Sequence, residues 1–456
     1  MCCTPWLIRE FHFQKGEYVM MKERSMQWRS QVWREFRRNK PALISLYVIS
    51  IAIILAMLAP ILANERPLYI KIYGQHFYPA FTFSKAYFVK TPEGLQQLNL
   101  NAVDWKLLPK EKVIWTPIPY SPGKGDYHNA NFVSPFAQQK FMDRGNLVEM
   151  PNRFRHWLGT GSRGNDLLAG LIHGARISLT IGIISMSIAG LIGIIIGLFA
   201  GFLGDDKVST TRGRMIMTLI GIFSAWFYAF QLRSESLHDG LKGNSGGFLW
   251  QFVISLVLFI LIILLFSFLG KWMGKIPGLK GKITVPVDSL LSRFTEVVVS
   301  LPILLLIITI AAFSKPTLTN VMVIIGLTNW TNIARLTRAE MLRVREMDYI
   351  QAARALGFSS WRIMFRHALP NAIAPAVIAI SVGVANAILI ESSLSFIGVG
   401  VPSTIETWGS LISSGRENFS AWWMVTFPGL CILVTVLSLN LMGEGLRDAL
   451  DPKLRK

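Results

Sequence analysis

The sequence predicts an all-α integral membrane protein, a bundle of about eight spans carrying a small external region that contains β-strands. Three observations predict it. Of 456 residues, 52% are hydrophobic and only 16% charged, where soluble domains carry about 25% charged residues. The apolar residues gather in runs of roughly 17–26, long enough to cross about 30 Å of hydrocarbon as helices. The cations behind the net charge of +19 cluster in short segments between those runs, as in cytoplasmic loops. Such an excess also suits nucleic acid or anionic lipid, but the placement of the cations favours a membrane protein with no nucleic-acid partner.

The segment to Pro41 is basic, with Arg34, Arg37, Arg38 and Lys40 just before the first apolar run, which puts residues 1–41 in the cytoplasm. Met20, Met21 and Met26 leave a later start open. Residues 42–63 form the first span, too long for a signal-peptide core and read as an uncleaved anchor. Residues 64–172 form an enlarged external region, too long for the positive-inside rule to govern. Its start carries Tyr69, Ile70, Tyr73, Phe77, Tyr78, Phe81, Phe83, Tyr87 and Phe88, broken by Gly74 and Pro79, a pattern of short strands. The second span lies within 173–204, with its uncharged run over 177–202. Gly193, Gly197 and Gly201 share one face of it and let another helix approach, either within the chain or from another subunit.

Two apolar runs, 215–230 and 248–269, make a helical hairpin within 205–286, followed by the cytoplasmic Lys271, Lys275, Lys280 and Lys282. The first run is short, so a re-entrant or interfacial helix stays open. The next span covers 297–313, begins amphipathically near Val287, and is kinked by Pro302. Residues 321–334 form a short, partly polar span in which Asn329 and Asn332 share a face toward helix neighbours or a pathway. Residues 335–370 hold seven Arg against three acids and lie in the cytoplasm. Residues 372–390 and 422–441 are the last spans, and the basic tail 447–456 returns inside. Both termini are therefore cytoplasmic.

Between the spans at 321–334 and 372–390 runs Asp348-Tyr349-Ile350-Gln351-Ala352-Ala353-Arg354-Ala355-Leu356-Gly357, then nine residues, then His367-Ala368-Leu369-Pro370-Asn371. It reads as a helix ending at Gly357, where positive φ is cheap, and a second helix stopped by Pro370. Ala352 and Ala353 remove bulk, so another surface can approach. Such a knuckle suits a groove on a soluble partner, although periodicity alone fits an ordinary interfacial loop equally.

This stretch resembles the E-A-A-x3-G-x9-I-x-L-P loop of binding-protein-dependent ABC permeases, with Ala352, Ala353, Gly357, Leu369 and Pro370 at matching positions. The subgroup it is similar to is the C-type subunit of dipeptide, oligopeptide and nickel permeases. Further matches are Gly174-Ala175-Arg176-Ile177-Ser178-Leu179, Glu391-Ser392-Ser393-Leu394-Ser395-Phe396-Ile397-Gly398, Gly445-Leu446-Arg447-Asp448-Ala449-Leu450-Asp451-Pro452, and Arg34 to Pro41. The resemblance implies a six-span permease core, completed over 287–446, with the hairpin inserted. It implies a bacterial plasma-membrane location, a second permease subunit, two ABC ATPase subunits holding ATP and Mg, and an external solute-binding protein. In the family the loop glutamate makes a charged contact with the ATPase. Gln351 stands there instead, so that contact is neutral or supplied by Asp348. His367 replaces an apolar residue, and Gly159-Thr160-Gly161-Ser162-Arg163-Gly164-Asn165-Asp166 keeps only part of the family's G-T-D-x-x-G-R-D.

Other signals carry no chemistry. Gly159, Gly161 and Gly164 fit G-x-G-x-x-G without a preceding strand, and no G-x-x-x-x-G-K-[ST] occurs, so the chain has no P-loop and its energy comes from another subunit. The seven His are scattered, and Cys2, Cys3 and Cys431 form no framework. No catalytic or metal-binding set emerges, and the chain holds no cofactor of its own. Glu391, near a membrane end, lines the path or takes an interfacial or helix-capping role. The expected function is a permease subunit for peptides or a similar small solute. An ion-coupled secondary transporter and a non-transporting scaffold for an ATPase are the alternatives.

Overall fold

Asn39 starts the first long helix by accepting a hydrogen bond from the Ala42 amide (3.2 Å), with Pro41 pre-set in the first turn. The computed structural model describes residues 31–450 except 83–85, 92–93, 101–102, 109, 144–145, 243–244 and 403. Cys2, Cys3, Phe83, Asp451, Pro452 and most of the basic N-terminus thus lie outside the described residues.

Helix α1 (Lys40–Leu62) leads into short antiparallel strands. Strand β1 (Tyr69–Ile72) pairs with β2 (Gln75–Phe77), β3 (Ala86–Thr91) pairs with β4 (Gly94–Asn99), and β5 (Lys112–Ile114) joins the other side of β1. Strands β6 (Lys140–Asp143) and β7 (Asn146–Glu149) form a further hairpin. The expected strands are present, with a small core of Ile70, Ile72, Val89, Leu100 and Trp105.

A buried histidine ties this region to the bundle. The ring nitrogens of His156 face Asp166 (2.8 Å) and Asp126 (3.4 Å), and Tyr120 stacks on the ring at 4.0 Å. Burial works against the imidazolium, but hydrogen bonds to the two carboxylates outweigh it and raise the pKa above 6.5. The other oxygen of Asp166 accepts from the Ala169 amide (2.7 Å), capping helix α2 (Leu167–Leu203). That cap starts the second long helix ten residues before the expected run at Ile177.

After α2 come β8 (Ser209–Thr211), α3 (Arg212–Trp226), α4 (Ser234–Lys242), α5 (Ser245–Met273) and β9 (Lys282–Thr284). Helices α3 and α5 pack antiparallel, Gly221 against Phe266 and Gly213 against Met273. Strands β8 and β9 pair at their foot, with Thr211 opposite Lys282. Then α6 (Val287–Val299) and α7 (Ile303–Phe313) meet at a bend of 78° around Pro302, far sharper than the expected kink.

The single span expected over 321–334 is two helices, α8 (Leu318–Thr328) and α9 (Trp330–Val344). The break is Asn329, whose side-chain amide donates to the Ile325 carbonyl (2.8 Å) beside its own backbone amide (3.2 Å), the kind of local bond that favours a helix end over its interior. Asn329 and Asn332 therefore do not share one helix face. Helices α10 (Asp348–Ala355), α11 (Ser360–Arg362) and α12 (Leu369–Ala372) follow, then α13 (Ala374–Ile397), α14 (Trp408–Gly415) and α15 (Trp423–Leu450).

Among the described residues, six helices are long and apolar enough to cross a membrane, or up to seven if the bent pair counts as one span. The expectation of eight exceeds this because the 321–334 run divides at Asn329 and is too short on either side. The bundle core joins α1, α2, α13, α14 and α15 through Ile49, Leu179, Ile388, Trp408 and Ile432. The glycine stripe on α2 packs within the chain. Cβ atoms added at Gly193, Gly197 and Gly201 would stand 2.5–2.7 Å from the carbonyl oxygens of Trp330, Ala334 and Arg338, so α2 and α9 run side by side in the same direction.

Candidate coupling segment

Helix α10 begins with Asp348 in its first turn, where a carboxylate suits the positive end of the helix. It ends in a motif set by Gly357, whose φ of +78° a residue with a Cβ adopts only under strain. The Gly357 amide donates to Arg354 (2.9 Å) and the Phe358 amide to Ala353 (3.2 Å), satisfying carbonyls that a helix end leaves orphaned.

Pro370 does not stop the second helix, as the sequence led one to expect. The chain runs helically over 360–372, widening to π geometry between Ile363 and Ala368. The Leu369 amide donates five residues back, to the Met364 carbonyl. This wider turn brings the chain to a proline that has no N–H of its own to place.

Ile350, Ala353, Ile363, Met364 and Ala368 pack on Leu198 and Phe202 at the end of α2 and on Met341 and Val344 of α9. Ala353 is thus spent inside this small core, and only Ala352 leaves room for an outside surface. Asp348, Tyr349, Gln351, Gly357 and Pro370 are exposed, while His367 and Leu369 are half-buried. Asn371 donates to the Tyr349 hydroxyl (3.0 Å), and the His367 ring stacks on Phe358 at 6.0 Å. His367 thus occupies the usual apolar position as a packed ring. Beyond them stands an apolar ridge of Leu356 (73% exposed), Trp361 (60%) and Phe365, which no motif singled out.

Charge gathers at the base of the segment. The Lys207 amine donates to the Phe202 carbonyl (2.7 Å), closing the end of α2. Burial, then the neighbouring Arg354 and Arg345, press its pKa down to about 8. Arg338 of α9 forms a two-pronged ion pair with Asp288 of α6, so the segment's base grips the bent helix pair.

The residues singled out as a pathway lie apart from this segment. Asn329 is half-buried at the α8–α9 break and Asn332 is exposed. Glu391 is fully enclosed in the bundle, accepting from Ser178 of α2 (3.2 Å) and Ser395 (2.7 Å). It caps no helix end. Ser178 and Glu391 stand in two separately recognised stretches 213 positions apart, and nothing local marks them as a pair.

Residues 278–456 match the family model described as binding-protein-dependent transport system inner membrane component. Residues 27–79 match the N-terminal TM domain of oligopeptide transport permease C. The chain is 32% identical to a di/tripeptide transport system permease protein of Pseudomonas aeruginosa over 302 residues, 66% of this chain and 73% of that one. It is 29% identical to a dipeptide transport system permease protein of Alkalihalophilus pseudofirmus, covering 66% of this chain and 73% of the relative. It is 27% identical to a glutathione transport system permease protein of Pectobacterium atrosepticum, covering 72% and 82%.

Proposed function

The chain belongs to the family of inner membrane components of binding-protein-dependent transport systems, and from that premise we propose that it conducts short peptides across the bacterial inner membrane. It is a multi-pass permease subunit of an ABC importer, and ATP hydrolysis resides in a separate subunit. A solute-binding protein, an ATPase and another permease are its partners. We take the ATPase subunits to be two and both termini to be cytoplasmic. Peptides are favoured because the relatives are named for dipeptides, tripeptides and glutathione, itself a tripeptide.

The observation that carries the reading is the exposed ridge of Leu356, Trp361 and Phe365 standing on a packed base at the end of α2. Residues 348–370 are the coupling segment, with Gln351 making a neutral contact or Asp348 a charged one to the ATPase. ATP-driven closure of the ATPases rocks the bundle between outward and inward access.

Residues 212–281 are an inserted hairpin on the flank of the bundle. In support, the chain leaves and returns through the adjacent, paired Thr211 and Lys282. Counting α3 and α5 as two crossings, and the bent pair and α8–α9 as one each, gives eight. The strands over 64–151 dock the binding protein.

The test is reconstitution of the importer in liposomes. ATP-dependent uptake of a tripeptide supplied by the binding protein is expected, together with loss of ATPase co-purification when 351–357 are deleted. ATPase binding that survives this deletion would remove the coupling assignment, and absence of uptake would leave the scaffold reading standing.

A further inference from the structure

At the end of the bundle opposite the coupling segment lies a cavity of about 440 Å³. It opens among the 161–167 turn, Pro316 after α7, the end of α13, the 401–406 loop and α14. Sites for small molecules commonly measure about 300–1,000 Å³. Charges of both signs line this one, Arg163 and Arg416 against Glu406, Glu417 and Asp166.

The arrangement is unbalanced in a way that points to a ligand. Among the described residues neither arginine pairs with a carboxylate. Arg416 instead rests over the Phe396 ring at 5.4 Å. Glu406 accepts from the Asn165 side-chain amide through Oε1 (2.9 Å). Its Oε2 is enclosed beside Gly170 with no hydrogen-bond partner among the described residues. A shielded carboxylate oxygen without a donor is uncommon and calls for an explanation. Burial, against the opposing Asn165 bond, pushes the Glu406 pKa up to about 7, so a nearby cation would shift it toward the charged form.

An ammonium supplies the donors that Glu406 lacks, and a carboxylate would replace water at the two exposed arginines. We propose that this cavity is a peptide subsite, in which Glu406 receives the free amino terminus and Arg163 or Arg416 the free carboxyl terminus. The subsite rests on the peptide-import reading and deepens it. It gives the permease its own selection for uncapped ends, separate from that of the binding protein. Glutamate and arginine are suited to this division, since Arg presents paired donors that match a carboxylate.

The experiment uses the assembled importer in lipid nanodiscs, without binding protein, titrated calorimetrically with Ala-Ala-Ala, its N-acetyl form and its C-terminal amide. Each cap is expected to weaken binding by about tenfold or more, the scale of one lost charge-assisted hydrogen bond. Glu406→Gln keeps an acceptor for Asn165 and should no longer distinguish the N-acetyl peptide from the free one. Arg163→Gln together with Arg416→Gln should no longer distinguish the amide. Unchanged thermal unfolding verifies that the variants fold. Equal binding of all three peptides by the wild type, no binding at all, or wild-type discrimination by Glu406→Gln would overturn the subsite. Uptake of Ala-Ala-Ala with binding protein present tests the underlying reading separately. Uptake that proceeds while calorimetry fails removes only the subsite.

Discussion

Ala334 holds its carbonyl oxygen so close to Gly197 that a Cβ on the glycine would stand 2.5 Å away. The same contact recurs one turn to either side, at Gly193 with Trp330 and Gly201 with Arg338. Backbone carbonyls cannot swing aside as side-chain ends do. Gly197→Leu should therefore destabilise the α2–α9 pair by about 1–3 kcal/mol, the usual scale of overpacking. Thermal unfolding of the purified protein measures it, and an unchanged midpoint would mean that the helices are not in contact.

The exposed ridge should be separable from folding. Leu356→Arg alters a side chain that is 73% exposed, so stability should change by no more than about 0.5 kcal/mol, whereas Trp361→Ala also gives up ring contacts with Phe199 and Phe365 and should cost about 1 kcal/mol. Co-purification of the ATPase should nevertheless drop sharply. Retained ATPase in both variants would place the docking surface elsewhere.

His156 gives a pH dependence of known sign. Its folded pKa is raised above 6.5 by Asp166 and Asp126, with Lys106 and Tyr120 lying nearby. The folded form therefore binds the proton more tightly than the unfolded form. The stabilisation is complete below about pH 6.5 and is lost as pH rises through the folded value. Thermal unfolding followed from pH 6 upward should show this decline in the wild type, and His156→Gln should flatten it. A parallel decline in the variant would assign the effect to another group.

Glu391 is enclosed between Ser178 and Ser395. Glu391→Ala would leave both hydroxyls without this acceptor and open a space, costing about 1–3 kcal/mol, while Glu391→Gln retains an acceptor and should cost less. Equal midpoints for the two variants would show that the hydroxyls find other partners.

Deleting 212–281 and joining Thr211 to Lys282 through Asn-Gly, a two-residue hairpin loop, should leave an inserted, ATPase-binding permease. The excised helices leave and return on one side, so every later span keeps its direction. A product that fails to insert, or loses its ATPase, would show that α3 and α5 belong to the core.

Local signals were the legible ones. Run length and charge located α1, α13 and α15, and Gly357 announced the end of α10 because a positive φ is written in the residue type itself. The harder features depend on contacts distant in sequence. The ten extra residues of α2 follow from Asp166, which caps the helix while facing His156. The division falls at Asn329, whose side chain and backbone amide share the Ile325 carbonyl, a local arrangement that hydropathy does not register. Pro370 misled for a related reason, since a π turn absorbs it and periodicity cannot register such a turn. Glu406 carries no motif, and only the folding of Asn165 and Gly170 against it makes its position unusual.

Helix α2 has 37 residues and is therefore about 55 Å long, roughly twice what the bilayer core requires. One end is embedded in the base of the coupling segment through Phe202, and the other adjoins Asn165, the residue that holds Glu406. Such a rod is a lever. A tilt of about 5° at its inner end sweeps the outer end through about 5 Å, more than the length of the hydrogen bond between Asn165 and Glu406. A stroke of the ATPases would then reach the cavity mechanically, loosening the grip on one carboxylate without any signal having to pass from side chain to side chain.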